Sequence, residues 1–102
     1  MAQRRTFPQL ISQKVVKKSG STSQVSVLGA ATLILAANPN RVDLAIYNNT
    51  VATVWIGFEN TVTALTGFPI DINNGGIAID TYWGPVYGIT GGAAITVGVI
   101  EI

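Results

Sequence analysis

Five carboxylates, Asp43, Glu59, Asp71, Asp80 and Glu101, are the side chains of this sequence best equipped for acid–base chemistry. A glycosidase needs two such groups at a set separation, one to protonate the leaving group and one to act as nucleophile or base. Glu59 falls in a loop and the others at strand positions, and nothing in their spacing selects a pair. A domain this small rarely builds the cleft that such chemistry requires. Histidine and cysteine are both absent, which removes imidazole catalysis, thiolate chemistry, disulfides and the common zinc sites. The glycine pairs Gly75-Gly76 and Gly91-Gly92 lack the strand–loop–helix context and the following Lys-Ser/Thr of a phosphate cradle, so they read as tight β-turns. The sequence therefore reads as non-enzymatic, with no catalytic residue, metal ligand or cofactor expected.

Charge placement is more informative. Arg4, Arg5, Lys14, Lys17 and Lys18 put five of the six cations in the first 18 residues, with no acid among them. The rest of the chain sets Arg41 against all five acids, a formal balance of −4. The molecule is a basic arm on a mildly acidic body. Five cations are few for binding nucleic acid by phosphate neutralisation, and in the arm only Phe7 offers a ring on which a base could stack. A purely disordered solubility tail is usually poor in apolar anchors. Here Phe7, Leu10, Ile11, Val15 and Val16 interleave with the cations, a mixture suited to docking on an acidic protein surface. The arm is thus expected to bind protein through Arg4, Arg5, Phe7, Leu10, Ile11, Lys14, Lys17 and Lys18, with no direct nucleic-acid contact.

The aromatic residues Tyr47, Trp55, Tyr82, Trp83 and Tyr87 have two functional readings, a sugar-binding platform or a subunit interface, beside burial in the core. Trp55 is out of phase with Val54 and Ile56; if those two face the core, its ring points outward, where a large ring normally has a partner. Trp55, Tyr82 and Trp83 are assigned to a subunit interface.

These residues sit on strands. Val25–Leu28 and Ala31–Ala36 are apolar, β-branched runs, closed by the turn Asn38-Pro39-Asn40. From Arg41 to Tyr47 the pattern alternates, with Val42, Leu44 and Ile46 on one face and Arg41, Asp43, Ala45 and Tyr47 on the other. Asn48-Asn49-Thr50 reads as a hairpin turn, leading to a strand over Ala52–Phe58. Further strands are expected over Phe68–Ile72, Ile77–Trp83, Val86–Thr90 and Ala94–Ile102, with Asn73-Asn74-Gly75-Gly76 and Gly91-Gly92 as turns. High β-branched content and recurrent glycine leave little room for helix beyond residue 23. The fold class that follows is all-β, an antiparallel sandwich or jelly roll of about seven or eight short strands with an extended N-terminal arm. Only Gln9 to Lys18 is ambiguous, since its apolar residues also fit one face of a helix. Residues 18–24 have linker composition, so residues 1–22 are read as arm and linker and 23–102 as the sandwich.

At 102 residues the chain makes one domain with a workable core. Charged residues are 11% of it against about 25% in an average soluble domain, and so neutral a surface tends to associate. A domain of this size without disulfides often gains stability by oligomerising. No run approaches the roughly 18 apolar residues of a spanning helix, and no apolar h-region follows the basic N-terminus. The sequence thus predicts an oligomer made inside a cell, with no membrane partner.

From Asn38 to Ile102 the chain resembles the small β-domains of tailed-bacteriophage virion proteins, in particular capsid decoration or cement proteins. The resemblance is carried by Asn40-Arg41-Val42-Asp43-Leu44-Ala45-Ile46-Tyr47-Asn48-Asn49, Val54-Trp55-Ile56-Gly57 and Gly67-Phe68-Pro69-Ile70. It continues through Tyr82-Trp83-Gly84-Pro85-Val86-Tyr87-Gly88-Ile89 and Val97-Gly98-Val99-Ile100-Glu101-Ile102. It implies a non-catalytic protein made in the host cytoplasm that joins the outer surface of a preformed shell, often as a homotrimer. Its partner would be the major capsid protein, which the arm would reach. Tail and head–tail connector components share the pattern. A carbohydrate-binding module using Trp55, Tyr82 and Trp83 is the alternative from another class.

Overall fold

A computed structural model of the protein describes residues 20–102. The arm residues Arg4, Arg5, Phe7, Leu10, Ile11, Lys14, Lys17 and Lys18, and the ambiguous stretch from Gln9 to Lys18, lie outside the described residues. Eight strands follow in order: β1 (Ser21–Val27), β2 (Thr32–Leu35), β3 (Asp43–Asn48), β4 (Val54–Gly57), β5 (Phe68–Ile70), β6 (Gly75–Asp80), β7 (Val86–Thr90) and β8 (Ile95–Glu101). Among the described residues there is no helix, and so none long and apolar enough to cross a membrane.

The strands form two four-stranded sheets, sheet A in the order β1-β8-β3-β6 and sheet B in the order β2-β7-β4-β5. Every pairing is antiparallel. Every connection except β4–β5 carries the chain from one sheet to the other, the interleaving that makes an eight-stranded jelly roll rather than a stack of hairpins.

Alternation decides which side chains meet between the sheets, because successive side chains of a strand point to opposite faces. Val27, Leu44, Ile46, Val97 and Val99 from sheet A meet Ile34, Val54, Ile56, Ile70 and Val86 from sheet B in one buried cluster. The core is aliphatic: among the described residues no aromatic ring is fully buried.

Three local expectations are corrected. Asn48-Asn49-Thr50 does not close a hairpin, since β3 lies in sheet A and β4 in sheet B. The buried Asn48 side chain instead donates to the carbonyls of Ala52 (2.6 Å) and Ile70 (3.4 Å) and accepts from the backbone N–H of Thr50 (3.0 Å), fixing a crossover. Ser21–Gln24 are not linker but the first half of β1, paired in register with β8 from Ser21 opposite Glu101 to Val27 opposite Ile95. The Ile77–Trp83 strand is displaced: β6 begins at Gly75 and ends at Asp80, which leaves Tyr82 and Trp83 in the loop before β7. Asn73 and Asn74 make the turn into β6 with φ of 56° and 77°, a region that Asn tolerates better than most residues.

Candidate functional site

The two outer faces of the sandwich differ in chemistry. None of the residues of β2, β4, β5 and β7 is charged. On the outer face of sheet B the register sets Leu33 beside Tyr87, Tyr87 beside Gly57, and Trp55 between Ile89 and Pro69. Trp55 therefore points away from the core, as its phase against Val54 and Ile56 predicts, and it is half-buried. The β4–β5 loop folds onto this face through Val62, which is 6% exposed. A side chain at Gly57 would stand 2.7 Å from Val62 Cγ2, so glycine is required for that closure.

Sheet A is polar at one end of its outer face. Asp43 lies opposite Asp80, Ala45 opposite Ala78 and Tyr47 opposite Gly76 between β3 and β6, while Ile100 of β8 lies opposite Ala45. The small Ala45 and Ala78 leave an open trough of ≈ 390 Å³ walled by Ile100 and Ile102, with Asp43 and Asp80 at its end. The Tyr47 ring lies over Gly98, where an added side chain would meet it at 3.0 Å.

Trp55, Tyr82 and Trp83 do not form one row. The Tyr82 ring packs on Phe58, with centroids 4.2 Å apart, and its hydroxyl donates to the Pro85 carbonyl at 2.7 Å. Burial pushes its phenol above the usual range, while the nearby Arg41 guanidinium acts in the opposite direction. Trp83 is 59% exposed, and its carbonyl accepts from the backbone N–H of Asn38 at 2.8 Å.

Beneath that loop lies the residue that the alternating pattern misplaces. Arg41 does not sit on the outer face of a strand; it precedes β3 and its side chain is fully buried. Its Nε donates to Glu101 Oε2 at 2.8 Å. Nη1 donates to the carbonyls of Tyr82 (3.1 Å) and Gly84 (2.9 Å), and Nη2 to that of Ala36 (2.7 Å). One guanidinium thus joins the segment after β2, the β6–β7 loop and the end of β8, and so positions Tyr82 and Trp83. The available signal was that Arg41 is the only cation of residues 20–102 and follows the Asn38-Pro39-Asn40 turn.

The five carboxylates do not converge: among the described residues no three His, Cys, Asp or Glu side chains gather where a metal ion could be held. Glu101 is taken up by Arg41, while Asp43 and Asp80 stand together on sheet A. No protein-family model matches the chain, and neither a curated protein nor a solved structure matches it.

Proposed function

We propose that the protein is a non-catalytic structural component of a virus particle, attached to the outer surface of a capsid by its N-terminal arm and associated with copies of itself, as a trimer, through the outer face of sheet B. The observation that carries this reading is the placement of the aromatic residues. Large rings ordinarily supply much of the apolar burial of a core or an interface, and here the core is built from Val, Ile and Leu, while Trp55 and Tyr87 lie half-buried on the outer face of sheet B and Tyr82 packs only against the margin of the core. Leu33, Trp55, Pro69, Tyr87 and Ile89 share one uncharged face. A second copy meets strands that carry no charged side chain, with Glu59 of the β4–β5 loop at their margin, and aromatic-rich patches poor in charge are characteristic of interface centres.

The jelly roll supports the reading without deciding it, since the fold recurs in viral capsid and lectin domains alike. A sugar platform needs several exposed rings in one plane; of Trp55, Tyr82 and Trp83 only Trp83 is largely exposed. Symmetric repetition turns modest attachment per arm into strong avidity, and Arg4, Arg5, Phe7, Leu10 and Ile11 at its far end offer both charge and apolar anchors.

Electron microscopy of particles assembled with and without the chain tests the proposal. Density is expected on the outer capsid surface, at three-fold positions, only when the chain is present. Density at the tail or connector, or none, would overturn the capsid assignment.

A further inference from the structure

We propose that the open edge of β6 is a second self-association surface, at which two copies of the chain pair their β6 strands antiparallel about a two-fold axis through Ala78. The pairing joins copies through sheet A and rests neither on a capsid role nor on contact through sheet B.

Backbone phase decides which groups β6 presents. Asp43 exchanges two backbone hydrogen bonds with Ile102, its N–H donating at 3.1 Å and its carbonyl accepting at 2.9 Å, so its backbone groups point away from Asp80 opposite it. Thr81, one residue further on, turns its N–H back to the Val42 carbonyl at 3.1 Å. Hydrogen-bonded and non-hydrogen-bonded pairs alternate along an antiparallel ladder. Ile77 and Ile79 therefore bond to β3, while the N–H and C=O groups of Gly76, Ala78 and Asp80 point to the open edge. Among the described residues β6 has no strand on that side. The Asp80 carbonyl accepts there from the Thr81 hydroxyl at 2.6 Å, which leaves it a second lone pair.

Exposed sheet edges are usually blunted against pairing. β2 is interrupted by a register shift between Leu33 and Leu35, and β5 is three residues long with Pro69 at its centre. β1 is long, but Ser21–Gln24 are polar and exposed, so pairing there covers little apolar surface. β6 has no Pro, Lys or bulge: it runs Gly-Gly-Ile-Ala-Ile-Asp in unbroken register with β3. On its inner side Ile77 and Ile79 pack on the core only partly buried. Phe68 of the adjoining β5 shares the inward phase of Ile70 and is still 57% exposed. The flank between the sheets is thus apolar and open.

A second β6 fits this edge because the apolar pattern of the strand is symmetric about Ala78. Pairing Ala78 with its own copy sets Gly76 opposite Asp80 at either end, three hydrogen-bonded pairs in all, and Ile77 opposite Ile79 on the inner face. Centring on Ile77 or Ile79 instead leaves two such pairs within the strand, because the third falls on Asn74, with φ 77°, or on Tyr82 beyond the strand end. With Asp80 against glycine, the two Asp80 residues stand about 14 Å apart, four residues at about 3.4 Å each, beyond the Debye length of about 8 Å at physiological salt. About 20 Å of strand edge covers less than the roughly 1,200 Å² of a stable interface. The pair is therefore too weak to form at micromolar concentration and takes effect where copies are crowded together.

The test uses the full chain, which has no native cysteine. In the paired arrangement the two Ala78 Cα atoms are about 5.5 Å apart, a separation that suits a disulfide. At submillimolar concentration Ala78→Cys is expected to oxidise to a covalent dimer, read on a non-reducing gel, about tenfold faster than two controls. These are Val51→Cys, at a site 85% exposed, and Asp80→Cys, whose own copy is out of reach. In the unaltered chain, amide hydrogen exchange at Gly76, Ala78 and Asp80 should slow as concentration rises from micromolar to millimolar, with Ile77 and Ile79 unchanged. Ala78→Lys puts a cation at the two-fold centre on an exposed, outward site, so the fold stays and the slowing should vanish. Leu33→Lys with Ile89→Lys alters only sheet B and should leave the cross-link and the exchange pattern as they are, which separates this edge from the contact proposed for sheet B. Equal rates for the three cysteines, fast oxidation of Asp80→Cys, or exchange at Gly76, Ala78 and Asp80 that ignores concentration would overturn the proposal. So would loss of the Ala78→Cys cross-link on adding the sheet B substitutions.

Discussion

A single buried guanidinium closes one end of the sandwich, and its energetics follow from what its loss leaves behind. Arg41→Met strands the Glu101 carboxylate and three carbonyls without their donor, and breaking a buried pair in this way costs about 3–5 kcal/mol. Arg41→Lys keeps the charge but lacks the planar fork that serves four acceptors, so its loss should be intermediate. Urea unfolding should rank the midpoints wild type, Lys, Met, and a Lys variant equal to wild type would contradict the fork's role. Close by, Thr81 adopts φ 57°, strained for a β-branched residue, and is held by its N–H to the Val42 carbonyl. Thr81→Asn should raise the melting temperature by relieving roughly 1 kcal/mol of strain; a lowered value would show that the Thr81 hydroxyl, bonded to the Asp80 carbonyl, matters more. Tyr82 supplies a pH dependence. Its folded phenol titrates above the unfolded value of 10.0, so its contribution is fully present below that pH and is lost as pH rises through the folded pKa. The alkaline fall in stability should therefore be shallower in Tyr82→Phe, read from melting temperature against pH, and an unchanged slope would remove Tyr82 from the account.

The strands themselves were legible where both faces of the pattern are constrained. Leu44, Ile46, Val54 and Ile56 alternate against polar or outward neighbours, and the phase that buries Val54 and Ile56 is the same phase that turns Trp55 out. Legibility failed where an element has little to bury. The first half of β1, Ser-Thr-Ser-Gln, is exposed at the edge of sheet A, so its composition matches a linker and only its ladder to β8 distinguishes it. It failed again at Asn48, because local turn chemistry says that the chain bends and not which sheet the next strand joins. Arg41 was misplaced for a related reason: alternation assigns faces only within a strand, and Arg41 lies just outside one. The outer faces were legible only in part, since Trp55 could be placed by phase but the pairing of Asp43 with Asp80 needs the register of strands far apart in sequence. The corrected start of β1 carries its own prediction. Deleting residues 1–19 should leave a cooperatively folded sandwich, whereas deleting 1–27 removes Val27 from the core and strips β8 of a partner along its whole length. Near-ultraviolet circular dichroism with urea unfolding should show a native-like transition for the first and none for the second. A cooperative transition in the shorter chain would make β1 an accessory rather than part of the fold.

The whole molecule is a sandwich with unlike sides, and the difference sets how copies should meet. With a net charge of +1 the protein carries little repulsion to keep copies apart, and sheet B offers an apolar, uncharged face while sheet A carries both Asp43 and Asp80. Association through sheet B removes Leu33, Trp55, Tyr87 and Ile89 from water, a gain of about 25 cal/mol for each Å² of apolar surface covered. Leu33→Lys with Ile89→Lys would place two cations on that face. Both side chains point away from the core, Leu33 being 47% exposed and Ile89 half-buried, so the fold should survive while the oligomer does not. Sedimentation velocity at micromolar concentration should show a trimer for the unaltered chain and a monomer for the double variant, with Ala78→Lys on sheet A leaving the trimer intact. Raising salt should not dissolve the assembly, because apolar contact is not screened, whereas an assembly held by the arm's cations on a neighbour's acids would weaken as the Debye length shortens. A trimer that persists in Leu33→Lys/Ile89→Lys and dissolves in salt would move the interface from sheet B to the acidic face of sheet A.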